Sequence, residues 1–393
     1  MIYIFVYNVV GIKSDFTRLK DVCPNDQFIL IASSYCLRSL STKNRCCFDS
    51  VYQIARDFHH PNYTAIEQIV QNYASKYGAE NLRLMTNEDS AQVNCAKLRE
   101  FYKIPGSSVT AILPFVNKII SKINLEQVVK LPKFLSFNKS RYAEDKESYL
   151  NEIVTKLNFP MFAKPVDLVS SIGTYKIDDL TNLHDVAHKI LSYDYEFEID
   201  EFIDGDLFHC DVILSNGIIK FFMAGKYAFH LAKFSKGFPM GSIPVVDKYM
   251  YDKLYTFTQT VIKKLRCDRG AYHLELFVEH NTKELVFLEI AARTPGAQLP
   301  LCYEIQFNIN IEELHYLAHM NLLDNFEMPV PNKFAGWITF PQIEGTVTEI
   351  SKPHISTQYH FIEYVSVGNN LQNAKAFWRR LVVLFFGITR LKF

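Results

Sequence analysis

The chain has 393 residues, enough for two or three domains and a large core, and its 48% hydrophobic and 21% charged residues make an ordinary globular balance. With 42 basic and 42 acidic residues the formal net charge is zero, which argues against nucleic acid or an anionic membrane as a partner. The eight cysteines are scattered and form no C-x-x-C pair, which argues against a zinc site or a disulfide framework and for a reducing, cytoplasmic compartment.

The opening stretch MIYIFVYNVVG is apolar but lacks a basic n-region and a small-residue cleavage site, so it reads as a buried first strand and not as a signal peptide. QFILIAS and LRLMTNE read as further buried strands, and Tyr63–Tyr77 as a helix. Residues 1–110 are therefore expected to form a small open α/β domain. It has no G-x-G-x-x-G turn, which speaks against a standalone dinucleotide-binding domain. Residues 111–132 look helical, ending before Leu131-Pro132. Within 133–204 the pattern gives a polar helix at Tyr142–Leu157, strand MFAKPV, a loop, strand TYKI, helix Asn182–Leu191 and strand YEFEIDEFI. Residues 111–204 thus read as a linker helix and an α+β module that moves as a lid. Long strands follow in 205–345, then a helix at Ile311–Leu322. The last unit, 346–393, mixes weak strands with a helix around Leu371–Arg380. No stretch reaches the roughly 18 apolar residues of a membrane span, and LVVLFFGI is far too short.

Two acids in one hairpin carry the strongest chemical signal. AYHLELFVEH and ELVFLEIAARTPG read as paired strands around a tip at Asn281-Thr282-Lys283. Folding about Thr282 pairs positions whose numbers sum to 564, so Glu275 faces Glu289, with Cβ atoms about 5 Å apart. Two like charges that close call for a cation between them. Carboxylate oxygens suit Mg²⁺, which takes one or two carboxylates plus substrate phosphates. Arg293, at the end of the second strand, could reach the same phosphates.

Other segments are weaker alone. Lys164 lies in the apolar strand of FPMFAKPVDLVSSIGTYKI, where an unpaired ammonium is costly. Ser170, Ser171 and Gly173 make the following loop small enough for its backbone N–H groups to cover phosphates. Glu201-Phe202-Ile203-Asp204-Gly205 ends a strand, and one C=O and one N–H on such an edge can read the N6 and N1 of adenine. Lys118, in PFVNKIISKINLEQ, reads on its own as a surface lysine of a helix.

The order Lys118, Lys164 with its loop, EFIDG, HLE, LEIAAR resembles the ATP-grasp superfamily over roughly residues 85–345. NEDSAQVNCAKLREFYKIPG and GAYHLELFVEHNTKELVFLEIAARTPGAQLP carry the same likeness, and the H-x-E and E-I-A-A-R forms resemble its carboxylate–amine ligase branch, which includes L-amino-acid ligases and carnosine-synthase-like enzymes. The resemblance implies a mixed α/β and α+β fold: an N-terminal open α/β domain, a small mobile lid at 111–204, an antiparallel catalytic core at 205–345 and a C-terminal lobe. It implies ATP as substrate, with Lys118, Lys164 and the Ser170, Ser171 and Gly173 loop on its phosphates and the main chain of Glu201 and Ile203 on adenine. Glu275 and Glu289 would hold one or two Mg²⁺, with Mn²⁺ as an alternative, and Arg293 would steady the transferred phosphoryl group. The chain departs from the pattern at Ala291, where many relatives have Asn, and near Leu207, where many have a ribose-binding Glu. Asp206 and His209 are the neighbours, and His209 is the candidate there. The GFPMGSIPV strand lacks the histidine that precedes it in some peptide-forming relatives, although His230 lies upstream.

The expected activity is an ADP-forming ligation of a small-molecule carboxylate to an amine, with amino acids expected in both places, through an acyl phosphate. A homodimer is compatible with this, and neither nucleic acid nor a membrane is expected as partner. A carboxylase-type enzyme and a nucleotide-binding regulatory protein with little catalysis stay open as alternatives.

Overall fold

The structure is a computed structural model, and it describes residues 1–57, 61–169, 171–331, 333–354, 356, 359–373 and 380–389. The N-terminal strands form a parallel four-stranded sheet in the order Ser50–Ile54, Gln27–Ser33, Ile2–Tyr7, Leu82–Thr86. All six residues of Ile2–Tyr7 are buried, which is why the run is continuously apolar instead of alternating. The helix Tyr63–Tyr77 stands where the periodicity puts it, capped by Asn62, whose side chain accepts the Ala65 N–H. Ser50–Ile54 was not expected. It is an edge strand with two exposed residues, so it carries no apolar run to read.

A second, antiparallel four-stranded sheet runs Phe134–Ser136, Phe197–Glu201, Met161–Pro165, Tyr175–Ile177. Its polar helix is two helices, Lys139–Glu144 and Lys146–Leu157, because Asp145 is extended and caps the second by accepting the Ser148 N–H. The expected helix over 111–132 is likewise broken. Val109–Ile112 and a 3₁₀ turn at Leu113–Phe115 precede Lys118–Leu125, which Asn117 caps.

The largest sheet has eight antiparallel strands. Their order is Leu285–Ala291, Gly270–Glu279, Gly205–Ser215, Ile218–Tyr227, Met240–Pro244, Lys333–Pro341, Arg380–Thr389, Tyr359–Glu363. The long strand 205–215 shows why both faces are covered. Phe208, Cys210, Val212 and Leu214 face a core that includes Leu254, Val261 and Ile262 of the helix Lys248–Leu265. Ile213 faces the opposite core, closed by the helices Leu299–Phe307 and Ile311–His319. The helices at 248–265 and 299–307 were not read from the sequence.

The segment LVVLFFGI lies in the strand Arg380–Thr389, paired with Lys333–Pro341. Residues 374–379 of the expected helix around Leu371–Arg380 lie outside the described residues, and its two ends are strand: Leu371 pairs Gly345 and Arg380 pairs Pro341. A short run cannot be assigned by period alone, and here the sheet decided it. Among the described residues no helix is long and apolar enough to cross a membrane, and all eight cysteines are free thiols.

Candidate active site

The hairpin Gly270–Glu279 and Leu285–Ala291 pairs Glu275 with Glu289. The route differs from a simple fold about Thr282. Near the tip the register is Val278 to Leu285 and Leu276 to Phe287, one residue short of the expected sum, and a bulge between Glu275 and Leu276 restores it for Glu275 to Glu289 and His273 to Ala291. The two acids differ in setting. Glu275 is 5% exposed, and its Oε1 accepts from Tyr227 Oη at 2.8 Å and lies 3.3 Å from His273 Nε2. Burial opposes its charge, but His273 and Tyr227 outweigh it and hold the carboxyl below its usual range. Glu289 is about a third exposed, with Lys118 Nζ 3.5 Å from its Oε2.

The cavity beneath this hairpin brings together Lys118, Lys164, Ser171, Glu201, Ile203, Glu275, Glu289 and Arg293. Gly173 lines the adjoining outer recess. Its φ is +69°, where an added Cβ would also come within 3.1 Å of Pro165 Cγ. Ser170 lies outside the described residues. Lys118 opens its helix, and its Nζ donates to Leu168 O at 2.7 Å, which with its approach to Glu289 ties the loop after Lys164 to the hairpin. Arg293 donates from Nε to Asp89 Oδ2 at 2.5 Å and from Nη1 to Thr294 O at 2.9 Å.

Lys164 is buried, 3.1 Å from Asp200 Oδ2 and 3.3 Å from Glu198 Oε1. Neither contact has hydrogen-bond geometry, so its ammonium has ion pairs and no hydrogen bond. Burial would lower its pKa, but Asp200, Glu198 and Glu289 raise it overall. A second lysine, Lys122, is fully buried and reaches the same acids at 2.6 Å and 3.0 Å. Sequence reasoning missed it and both acids. The signals were present: Lys122 is one turn beyond Lys118, and Glu198 and Asp200 alternate on one strand face opposite a buried lysine.

His209 is not at the cavity. It is 1% exposed, and both ring nitrogens are engaged within the sheet: Nδ1 with Asp211 Oδ2 at 2.8 Å and Nε2 with Ser242 Oγ at 2.7 Å. The strand register explains this, since His209 lies opposite both Glu275 and Gly225, and a Cβ on Gly225 would meet its ring at 2.2 Å. The neighbouring position offers no replacement: Leu207 lines the cavity with an apolar side chain, and Asp206 pairs with Lys226 at 2.7 Å.

His209, Asp211 and His273 are close enough to suggest a metal cluster. Yet the Asp211 oxygens lie 2.8 Å and 2.6 Å from the two rings, whereas tetrahedral bonds of about 2.0–2.1 Å would hold ligand atoms roughly 3.3 Å apart. The group is a hydrogen-bonded relay beneath Glu275, joined by Tyr303 Oη on Asp211. Burial opposes a charge on His273, but Asp211 and Glu275 outweigh it and raise its pKa to about 9. His230 is at the cavity, stacked on Phe277 at 5.1 Å between ring centres, and burial lowers its pKa.

Residues 125–298 match the family model "D-ala D-ala ligase C-terminus". The L-arginine-specific L-amino acid ligase of Bacillus subtilis is 23% identical over 261 residues, covering 65% of this chain and 61% of that protein. The chain spans about three fifths of the length of that ligase, and the same share of the D-alanine–D-alanine ligase of Acetivibrio thermocellus, 25% identical over 236 residues. Among solved structures, the L-amino acid ligase of Bacillus licheniformis superposes with a TM-score of 0.72 at 16% identity, over 99% of this chain and 93% of that one. The biotin carboxylase domain of the Hydrogenobacter thermophilus 2-oxoglutarate carboxylase, in complex with MgADP and bicarbonate, gives 0.64 at 14% identity, over 99% and 86%. These likenesses give the chain the fold of the two solved enzymes, and over residues 125–298 its sequence is similar to the C-terminal part of D-alanine–D-alanine ligases, of the ATP-grasp carboxylate–amine ligase branch.

Proposed function

We propose that the protein is an ATP-dependent, ADP-forming ligase that joins a small-molecule carboxylate, in the first instance an amino acid, to an amine through an acyl phosphate. The observation that carries this reading is the facing pair Glu275 and Glu289 on one cavity with Lys118, Lys164 and Arg293. Phosphoryl transfer asks the protein for position and charge neutralisation more than for covalent chemistry. This set supplies both, and no cysteine lines the cavity.

The groups fit their ligands on local grounds. Lys164 is a buried ammonium on the cavity with no hydrogen bond, so a phosphate oxygen would complete it. Glu201 and Ile203 share their end of the cavity with Phe162, Phe202, Phe277 and Leu288. The Glu201 C=O and Ile203 N–H would read the edge of a purine whose faces those apolar groups cover. Glu275 and Glu289 offer the all-oxygen donors that Mg²⁺ takes, and a bound Mg²⁺ would neutralise charge on the phosphates. Arg293 would hold the phosphoryl group as its charge develops. Lys118, bonded to the loop carbonyl of Leu168 and close to Glu289, would couple closure of the 133–204 unit to occupancy of the phosphate site.

The test is an ADP-release screen across pairs of amino acids, with mass spectrometry of the products. ADP, phosphate and an amide are expected. AMP and pyrophosphate would mean an adenylate intermediate and would overturn the acyl-phosphate reading. Lys164→Ala should weaken nucleotide binding by about 1.5–3 kcal/mol, the scale of a charge-assisted hydrogen bond. Titration calorimetry that finds an unchanged affinity removes Lys164 from the phosphate site.

A further inference from the structure

Arg293 is held by one residue 204 positions away and by its own neighbour. Asp89 accepts from its Nε, while Thr294 O accepts from its Nη1. A guanidinium is a rigid planar fork, so two fixed edges fix the plane. The flanking residues are held from the same segment. Asn87 Nδ2 donates to Thr294 Oγ1 at 2.8 Å, the Thr294 N–H donates to Asn87 Oδ1 at 2.9 Å, and Gln92 Nε2 donates to Ala292 O at 2.7 Å. Asn87, Asp89 and Gln92 thus grip three consecutive residues just past Glu289.

That segment is itself rigidly anchored. It follows the strand Leu82–Thr86 of the parallel sheet and opens the helix Asp89–Tyr102. Glu88 is buried and accepts the N–H groups of Asn8, Val9 and Val10 at 2.9, 3.0 and 2.7 Å, so the end of one strand locks the start of the helix beside its neighbour. A carboxylate in the first turn of a helix is favourable anywhere, and an exposed ion pair between two units is worth little. Asp89 is neither exposed nor aimed at water: its side chain is 13% exposed and its partner lines the cavity.

We propose that Asp89 is a positioning residue for Arg293, so that the N-terminal parallel-sheet unit completes a catalytic centre otherwise built on the eight-stranded sheet. This rests on the ligase reading above, in which Arg293 meets the phosphoryl group. A fixed plane serves the transition state, where charge spreads over the transferred oxygens, more than it serves ground-state ATP.

The experiment needs no knowledge of the amino-acid substrates. Dissociation constants are measured for Mg²⁺ with a non-hydrolysable ATP analogue and for Mg²⁺–ADP–aluminium fluoride, which mimics the phosphoryl group in flight. The proteins are the wild type, Asp89→Asn, Arg293→Lys and the double variant. Asp89→Asn is expected to bind the analogue within about two-fold of the wild type and to bind the aluminium fluoride complex at least ten-fold more weakly, since each ten-fold is about 1.4 kcal/mol of differential binding. Adding Asp89→Asn to Arg293→Lys should cost nothing more, because the two act as one unit. Arg18→Ala removes a surface ion pair to Glu313 across the same two units, 3.7 Å long, and serves as the docking control. It should change neither constant. Equal weakening of both ligands in Asp89→Asn, additive losses in the double variant, or the same loss in Arg18→Ala would each overturn the proposal and leave Asp89 as a docking contact. A wild type that binds neither nucleotide would overturn the ligase reading instead, and the proposal with it.

Discussion

Glu289→Gln is expected to remove metal-dependent turnover, by a factor on the order of 10³, the upper end for losing one preorganised charged group at a transition state. The fold should not notice. Glu289 is about a third exposed and its nearest cation, Lys118 Nζ, is 3.5 Å away, a pair worth roughly 0–1 kcal/mol at that exposure. Against this, removing one of two facing like charges gains some tenths of a kcal/mol, on the order of a cross-strand pair. The two terms are comparable and opposed, so stability should stay within about 1 kcal/mol of the wild type. Glu275→Gln would be a poorer probe. Glu275 is buried and is a partner of both Tyr227 and His273, so its loss would disturb a charged relay as well as a metal ligand. ADP release across a Mg²⁺ titration, with thermal unfolding alongside, checks the prediction for Glu289. Full activity in Glu289→Gln would end the metal assignment for the hairpin.

The hairpin was legible because its information is local. Period-two alternation and a polar tip place Glu275 opposite Glu289 within one supersecondary unit, and the bulge that the reading overlooked happens to compensate for the shorter turn. Lys164 was legible for a related reason: an ammonium in an apolar strand demands partners. What could not be read is whatever depends on which surface packs against which. Lys122 looks like any lysine on an amphipathic helix until the strand Phe197–Glu201, with Glu198 and Asp200, meets that face and leaves it at 0% exposure. His209 is an odd-numbered residue on the face that carries Glu275 and Phe277. Only the register with Ile218–Tyr227, and the missing Cβ of Gly225, turn its ring into the sheet instead of the cavity. The Asp89 grip on Arg293 spans 204 positions, and no periodicity carries information over that range. The broken helix at 111–132 was a failure of another kind, since Pro114 and Asn117 are breaking and capping residues and both were visible in the sequence.

Lys122→Met should lower the local stability of the sheet holding Glu198 and Asp200 by about 3–5 kcal/mol, the usual result of removing one partner from a buried ion pair. The wild-type group is balanced, two lysines against two acids. Methionine fills nearly the same volume, so the loss is one of charge and not of packing. Lys164 alone would then face Glu198 and Asp200, with one negative charge uncompensated where water cannot reach. The pH dependence gives the sign. Burial pushes the Asp200 carboxyl up, but Lys122 and Lys164 outweigh it and hold it below the ordinary carboxylate range. Its stabilising contribution in the wild type is therefore present above the unfolded-state pKa and is lost as pH falls through the folded one. Without Lys122 one acid should take up a proton more readily, so the deficit of the variant should narrow as pH drops into the carboxylate range. Adding Glu198→Gln to Lys122→Met restores one cation to one acid and should recover much of the loss. Hydrogen exchange of the amides in Met161–Pro165 and Phe197–Glu201 measures the opening free energy of this sheet directly. A Lys122→Met protein whose exchange matches the wild type at neutral pH would show that the lysine is not the counter-charge. Nucleotide binding should suffer as well. If Lys164 turns toward a phosphate, Lys122 is the cation left to hold the two acids, so its loss should also weaken affinity for the Mg²⁺–nucleotide complex.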